Sequence, residues 1–242
     1  DIDGSGRASI MISNFTGEGL SLYKNVPDSP FVESSHDWQI ADVSLLKMGW
    51  GLILFDYDLD GKLDSLVANG HLYDNIDAIQ PGVGYAQPML LFHNEGSQFL
   101  DVTKSHGNGL TKPMVGRGSA FADIDGDGDL DVLVMENGGK PRLLRNDGGN
   151  KNNWLRIKTI GTKSNRDGIG AKLEAVVGGK TITRWVKSGA SFLSCSELMV
   201  TFGLGQEKEV SKLTITWPSG IVMNLSNIKA NQLMNITEKD SK

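Results

Sequence analysis

The sequence is poor in cysteine and in basic charge, and it has no long apolar run. Cys195 is the single cysteine, so an internal disulfide bond is excluded. The formal net charge is −5, which argues against a nucleic acid or an anionic membrane as a partner. No stretch approaches the roughly 18 apolar residues of a membrane-spanning helix. The remaining composition, with 39% hydrophobic and 22% charged residues, is typical of a globular protein.

Recognisable catalytic motifs are also missing. The four histidines are scattered along the chain, and neither a zinc-protease motif nor a nucleophile elbow surrounds them. The Gly168–Ala171 stretch has too few glycines for a dinucleotide-binding loop. The sequence therefore predicts no catalytic residue. Its 30 glycines and its lack of long helical periodicity indicate β structure with many tight turns.

The most distinctive pattern is Asp-x-Asp-x-Asp-Gly-x-x-Asp, which occurs at residues 56–64 and again at residues 123–131. We call these segments the first and second acidic loops and number their positions one to nine. Strand-like sequence flanks each loop, and the glycine at position six permits a sharp turn. Carboxylates crowded in this way repel one another unless a cation lies among them. The pattern therefore predicts two cation sites.

The chemistry of the loops favours calcium. Calcium accepts six to eight oxygen ligands, and no phosphate group that would suit magnesium is evident. Zinc would require histidine or cysteine, and neither lies beside the loops in the sequence. An EF-hand is rejected because position twelve is Val67 or Val134 instead of glutamate. Position seven is predicted to bind through its backbone carbonyl, since a lysine occupies it in one copy. The predicted ligands are Asp56, Asp58, Asp60, Lys62 and Asp64, and Asp123, Asp125, Asp127, Asp129 and Asp131.

A third, degenerate copy of the loop opens the chain at residues 1–9, with serine at positions five and nine. Asp1, Asp3 and Ser5 are predicted to form a weaker site. The repeated unit is expected to consist of a strand, an acidic loop and three further strands. We interpret the stretch His71–Pro88 as a loop inserted into the second unit. Because the first copy lacks a preceding strand, two and a half units are expected, as in a piece of a longer protein.

The C-terminal part of the sequence predicts a separate β domain after the linker Gly148–Asn153. About seven short strands separated by turn signals are expected, as in a β-sandwich or a small barrel. Six of them are assigned to residues 154–160, 171–177, 181–186, 198–202, 212–217 and 232–237.

These motifs resemble two known families. The acidic loops and their flanking strands resemble FG-GAP (VCBS-type) repeats, which implies calcium-carrying blades of a β-propeller. The stretch Asn153–Lys180, with residues 200–205 and 213–220, resembles the ASPIC/UnbV domain of the cartilage acidic protein family. The implied fold is all-β, with a partial β-propeller at residues 1–150 followed by a β-sandwich-like domain at residues 151–242. Two and a half blades do not close a ring, which needs about four or more.

The resulting hypothesis is a secreted or extracytoplasmic binding or adhesion module whose calcium is structural. Its ligand is expected to be a protein, the extracellular matrix or a polysaccharide, and the inserted loop is the first candidate for contact. One alternative is a glycoside hydrolase, for which Asp74, Asp77 and Glu136 are the available carboxylates outside the loops. Another is an accessory subunit that a second chain completes. Trp38 and Tyr85, in loop-like segments, are further candidates for an exposed ligand platform.

Overall fold

The computed structural model describes residues 1–239, and these residues form an all-β protein. The strands, in chain order, are β1 (Ile10–Ile12), β2 (Ser21–Lys24), β3 (Val32–Glu33), β4 (Gly49–Phe55), β5 (Asp64–Asn69), β6 (Leu90–Asn94), β7 (Phe99–Asp101), β8 (Gly116–Ala122), β9 (Asp131–Glu136), β10 (Arg142–Leu144), β11 (Asn153–Ile160), β12 (Lys172–Val177), β13 (Lys180–Trp185), β14 (Val200–Gly205), β15 (Glu209–Thr216), β16 (Val222–Lys229) and β17 (Gln232–Thr237).

Helical structure is limited to short turns. They are α1 (Ala41–Ser44), α2 (Ile76–Ile79) and α3 (Asn108–Thr111), with 3-10 turns at Thr103–Ser105 and Gly149–Lys151. Within residues 1–239, none of these helices is long and apolar enough to cross a bilayer.

The N-terminal half contains three successive antiparallel sheets. The first sheet has the order β1-β2-β3, the second β4-β5-β6-β7 and the third β8-β9-β10. One apolar core joins the first and second sheets around Leu22 and Phe92, and another joins the second and third around Leu66 and Val132. The sheets of residues 1–239 form no closed ring. The three sheets therefore form a row in which each sheet packs against the next, and the propeller stays a prediction.

The acidic loops occupy equivalent places in this row. The first acidic loop connects β4 to β5, with Phe55 paired to Asp64, and the second connects β8 to β9, with Ala122 paired to Asp131. Each loop thus closes the turn between two adjacent antiparallel strands, as the repeat predicts. The second sheet has the full set of four strands, whereas the third ends at β10.

The C-terminal half consists of two sheets around one core. The three-stranded sheet has the order β14-β11-β17, in which β17 runs parallel to the central β11. The four-stranded sheet has the order β13-β12-β15-β16 and is antiparallel. Leu155, Phe202, Leu173 and Trp217 belong to a single buried cluster that draws on both sheets. Alternating apolar residues on facing sheets account for this packing.

A buried glutamate fastens the end of β17 to the loop that follows β11. Glu238 is 1% exposed, and its Oε2 accepts hydrogen bonds from the backbone amides of Thr162, Lys163 and Ser164, each at 2.8 Å. Its Oε1 accepts from the hydroxyls of Ser164 and Ser219. Burial raises the pKa of Glu238, but these hydrogen bonds outweigh burial and lower it to about 2. The carboxylate therefore stabilises the fold in its charged form.

We predict that Glu238→Gln destabilises the protein in a pH-dependent way. The pKa of Glu238 is depressed in the folded protein from an ordinary value near 4.5 to about 2. The wild type therefore has the full benefit above pH 4.5 and loses it as the pH falls towards 2. Urea unfolding at pH 7 and pH 3 should show a smaller difference between variant and wild type at pH 3. The exposed Glu209→Gln is the control, and an equal loss at both pH values would contradict the prediction.

Candidate metal centre

The first acidic loop gathers carboxylates into one cluster. One oxygen each from Asp56, Asp58 and Asp60 lies within 4.8 Å of the others. Asp56 is 2% exposed, while the other two are partly buried. Asp60 is also paired with the ammonium of Lys62 at position seven. The side chains of positions one, three and five thus converge, as required for a hard cation with oxygen ligands.

The second acidic loop repeats this cluster. One oxygen each from Asp123, Asp125 and Asp127 lies within 4.8 Å of the others. No histidine or cysteine belongs to this group within residues 1–239. The sequence repeat therefore produces the same arrangement of three carboxylates in two places, and at the second place the cluster consists of oxygen donors.

The aspartates at position one hold the turn in the same way in both loops. Asp56 accepts hydrogen bonds from the amides of Asp60 at 3.0 Å and Gly61 at 2.9 Å. Asp123 accepts from the amides of Asp127 at 3.2 Å and Gly128 at 3.1 Å. These bonds fix the carboxylate at the centre of the loop, so that its position does not depend on a bound ion alone.

The aspartates at position nine also make matching contacts. Asp64 accepts from the amides of Tyr57 at 3.2 Å and Asn94 at 2.8 Å. The corresponding bonds of Asp131 come from Ile124 at 3.0 Å and Asn146 at 2.8 Å. Asp64 therefore ties its loop to the last residue of β6, and Asp131 ties its loop to the segment that follows β10. A carboxylate oxygen has two lone pairs, so these bonds leave room for the predicted metal contact.

Carboxyl groups are crowded in the buried part of both loops. Burial raises the pKa of Asp56 to about 8, with Arg184 opposing and Asp64 and Asp58 adding to the rise. Burial also raises the pKa of Asp64 and, at position seven of the second loop, that of Asp129. Asp129 is fully buried, and among the described residues its Oδ1 has no hydrogen-bond partner. A cation would stabilise these carboxyl groups in their charged form, so the donor set fits one.

Position seven differs between the loops more than its predicted backbone role implies. The Lys62 side chain is 38% exposed, while the carboxylate of Asp129 is buried and accepts from the Asn150 amide at 3.2 Å. Asn150 also donates to Asp127 at 2.7 Å. The second loop is thus fastened to the segment that leads into the C-terminal half.

His93 is a candidate metal ligand that the sequence pattern did not identify. Its Nδ1 lies 3.5 Å from an Asp58 oxygen and 3.4 Å from an Asp64 oxygen, and these three residues form a further cluster of possible ligands. The polar contact with Asp64 raises the pKa of His93, and burial opposes this rise. The expectation that no histidine lies near the loops was wrong, because the fold brings His93 beside the first acidic loop. A signal was present, since Lys24 and Arg145 precede the equivalent asparagine in the other copies.

Two buried arginines from the C-terminal half also reach the acidic loops. Arg156 on β11 places Nη1 2.6 Å from Asp123 and pairs through Nη2 with Glu197. Arg184 on β13 places Nη2 3.9 Å from Asp56 and donates to the Gly61 carbonyl at 3.0 Å. In each pair the arginine lies against Oδ2, the oxygen that already accepts the glycine amide. The first aspartate of each loop therefore joins the two halves of the molecule.

In the degenerate N-terminal copy, a lysine ammonium group pairs with one of the aspartates. Lys24 lies 3.0 Å from an Asp3 oxygen, while Asp3 accepts from the Ser5 amide at 3.2 Å. Burial raises the pKa of Asp3, but the contacts with Ser5 and Lys24 outweigh it and lower the pKa. Asp1, Asp3 and Ser5 do not form a cluster with a further acidic or histidine ligand within residues 1–239. Lysine thus supplies positive charge here.

The remaining candidates lie outside these clusters. Asp74 and Asp77 are exposed in the inserted loop, and Glu136 accepts a hydrogen bond from the Val115 amide at 3.2 Å. The expectation of an exposed Trp38 was wrong, since this side chain is 3% exposed and lies 5.3 Å, between ring centres, from Phe99. Tyr85 is partly buried, and its hydroxyl accepts from Asn137 at 3.4 Å.

Comparison with known proteins agrees with the division seen in the fold. The chain is 25% identical to human cartilage acidic protein 1 over 284 aligned residues, which cover 97% of the chain and 42% of the human protein. It is 25% identical to the mouse protein over 92% of the chain, and 36% identical to the Xenopus tropicalis protein over 46% of the chain. The chain spans about two fifths of the length of the human and mouse relatives. Residues 161–242 match the family model "ASPIC and UnbV", so the C-terminal half contains an ASPIC/UnbV domain and the chain is homologous to cartilage acidic protein 1.

Proposed function

We propose that this protein is an extracytoplasmic binding module in which two acidic loops hold structural calcium ions. The observation that carries the proposal is the repetition of the carboxylate cluster at the same three positions of two loops. The second cluster contains oxygen donors and no nitrogen or sulfur donor among the described residues, and this set suits calcium. Calcium would neutralise the loops and hold each turn closed between its two strands.

We further propose that the three N-terminal sheets are FG-GAP-type blades of a propeller. Asn94 donates through Nδ2 to the Ile2 carbonyl at 2.8 Å, and Asn146 donates to the Tyr57 carbonyl at 2.7 Å. Since Ile2 and Tyr57 both occupy position two, each unit binds the unit before it through the same contact. A regular contact of this kind supports a repeating array of blades.

The outer face of the third sheet supports the same interpretation. Leu66, Ala68 and Leu91 of the second sheet are 2%, 0% and 5% exposed, because the third sheet covers them. Their equivalents in the third sheet, Leu133, Met135 and Leu143, are 42%, 47% and 52% exposed. We propose that another sheet of the same kind covers this face, from the same protein or from a partner.

The inserted loop is the proposed ligand-contact surface. Leu72, Tyr73 and Ile79 in this loop are 45%, 60% and 64% exposed. Exposed aromatic and aliphatic side chains on a loop held by rigid sheets are typical of protein-binding surfaces. The name of the relatives, cartilage acidic protein 1, supports an extracellular location and a protein or matrix ligand for this module.

We predict that calcium stabilises the wild type but not the variant Asp60→Ala/Asp127→Ala. With a dissociation constant on the order of 10⁻⁴ to 10⁻³ M, about 10 mM calcium should add roughly 1–3 kcal/mol per site. Thermal unfolding in calcium and in a chelator measures this effect. The control Asp74→Ala/Asp77→Ala removes the same charge from exposed positions and should respond to calcium like the wild type.

The same experiment separates calcium from a metal that prefers nitrogen. Zinc should act at the first loop alone and through His93, so His93→Ala would abolish any zinc effect and leave the calcium effect in place. An unchanged melting temperature in calcium, or a calcium response that survives in the Asp60→Ala/Asp127→Ala variant, would contradict the proposal.

A further inference from the structure

We propose that the free edge of β10 is a binding site for an extended peptide segment that carries an aromatic residue. The segment would add to the third sheet as an antiparallel fourth strand, and its aromatic side chain would enter the cavity between the second and third sheets. This proposal requires no metal, although Tyr57 and Leu130 of the two acidic loops belong to the lining of the cavity.

The second sheet shows the completed form of this edge. Its fourth strand β7 pairs with β6, with Phe92 opposite Asp101 and Asn94 opposite Phe99. Both backbone groups of Leu91 point towards this side: its carbonyl accepts from the Val102 amide and its amide donates to the Thr103 hydroxyl, each at 2.9 Å. β7 and the two residues that follow it thus satisfy the outer edge of β6.

Phe99 is the side chain that this fourth strand contributes to the core. It is 1% exposed and belongs to the apolar cluster between the first and second sheets. Its ring centre lies 5.3 Å from that of Trp38 and 6.3 Å from that of Phe92. The phenyl group therefore fills the space between one sheet and the sheet before it.

The third sheet has the equivalent edge without the equivalent strand. β10 pairs with β9 and with no other strand among residues 1–239. Leu143 corresponds to Leu91, so its amide and carbonyl face the open side. The residue that corresponds to Phe99 is Lys151, which lies in the 3-10 turn that leads to β11. The chain therefore leaves the third sheet instead of folding back along it.

A cavity lies where the missing aromatic side chain would be. This cavity lies between the second and third sheets and has a volume of about 340 Å³. Its walls include Phe55, Leu91, Leu130 and Leu144, of which Leu144 is the equivalent of Phe92. An apolar cavity of about 150 Å³ is sufficient for benzene, so this one accommodates a phenyl or an indole group.

An open strand edge beside an apolar cavity recognises an extended peptide. The edge supplies backbone hydrogen bonds, and the cavity selects the side chain. The edge of β10 is equivalent to the edge of β6 that pairs with β7 in the second sheet. This equivalence sets the antiparallel direction of the peptide. It also places the aromatic residue near Asn146.

A synthetic peptide with the sequence Glu95–Thr103 tests the proposal. The protein's own β7 remains in place because its tether gives it a high effective concentration. We expect the fluorescently labelled peptide to bind saturably at one site. The same peptide with alanine in place of the phenylalanine should bind about tenfold or more weakly.

Two variants of one residue locate the site. Leu143→Pro removes the outward amide but no hydrogen bond to β9, and proline is tolerated at a sheet edge. It should abolish peptide binding, whereas Leu143→Ala, which keeps the amide, should retain it. Circular dichroism of both variants checks that the fold is kept. Binding that is unaffected by Leu143→Pro or by loss of the phenyl group would overturn the proposal. So would self-association through this edge in place of peptide binding, as detected by sedimentation.

Discussion

Replacing Arg156 by alanine is expected to lower the free energy of unfolding by about 3–5 kcal/mol. Arg156 is 3% exposed and lies between the carboxylates of Asp123 and Glu197, whose side chains are 1% and 12% exposed. Burial raises the pKa of Glu197, and Arg156 opposes this rise. The variant would leave two buried carboxylates without their cation, which is the costly way to break a buried ion pair.

Chemical denaturation of Arg156→Ala beside Lys158→Ala measures this effect. Lys158 is exposed on the same strand, so its loss should change stability by less than about 0.5 kcal/mol. Calcium should partly rescue Arg156→Ala, because a cation in the second acidic loop neutralises Asp123. A loss below about 1 kcal/mol without calcium would show that water reaches these carboxylates and that the triad contributes little.

Gly128→Ala is expected to destabilise the protein more than Gly126→Ala by about 1–3 kcal/mol. Both glycines have positive φ, +103° and +79°, so both variants incur a similar backbone strain of about 1 kcal/mol. A Cβ at Gly128 would lie 2.0 Å from Cε2 of Trp154, whereas one at Gly126 would meet nothing within 4 Å. Because the strain is shared, the difference measures the contact with Trp154.

Equilibrium unfolding of the two alanine variants provides the comparison. If both lose the same stability, Trp154 moves away at little cost, and the loop is not tightly packed against β11. If Gly128→Ala loses more stability than Gly126→Ala, the glycine at position six has two functions. It permits the turn, and it allows the indole of Trp154 to lie on the loop.

The sequence predicted the acidic loops well because their determinants are local. Alternating aspartates, a glycine at position six and flanking strands place Asp56–Asp64 and Asp123–Asp131 between paired strands, where the structure has them. All six assigned C-terminal strands begin within three residues of the observed ones. β16 was not assigned, whereas pairing with β15 holds Val222–Lys229 extended.

The partners of the loops could not be predicted, because they come from distant parts of the chain. Arg156 is 33 residues from Asp123, and Arg184 donates to Gly61 across 123 residues. Spacing rules carry no information about such contacts. The remaining signal was weak: an arginine between two apolar residues in the strand that contains Leu155 and Ile157 suggests a buried charge with a partner. Ligation of calcium and the closure of a propeller stay predictions.

The position of β11 determines where this protein can be divided into fragments that fold independently. The matched family region begins at residue 161, immediately after this strand ends at Ile160. Yet β11 is the central strand of its sheet, and both β14 and β17 pair with it. A recombinant fragment that started at residue 161 would leave these two strands without a common neighbour and would expose their apolar sides. The smallest C-terminal fragment able to fold alone therefore begins at or before Asn153, and it would present Arg156 and Trp154 on a newly exposed surface.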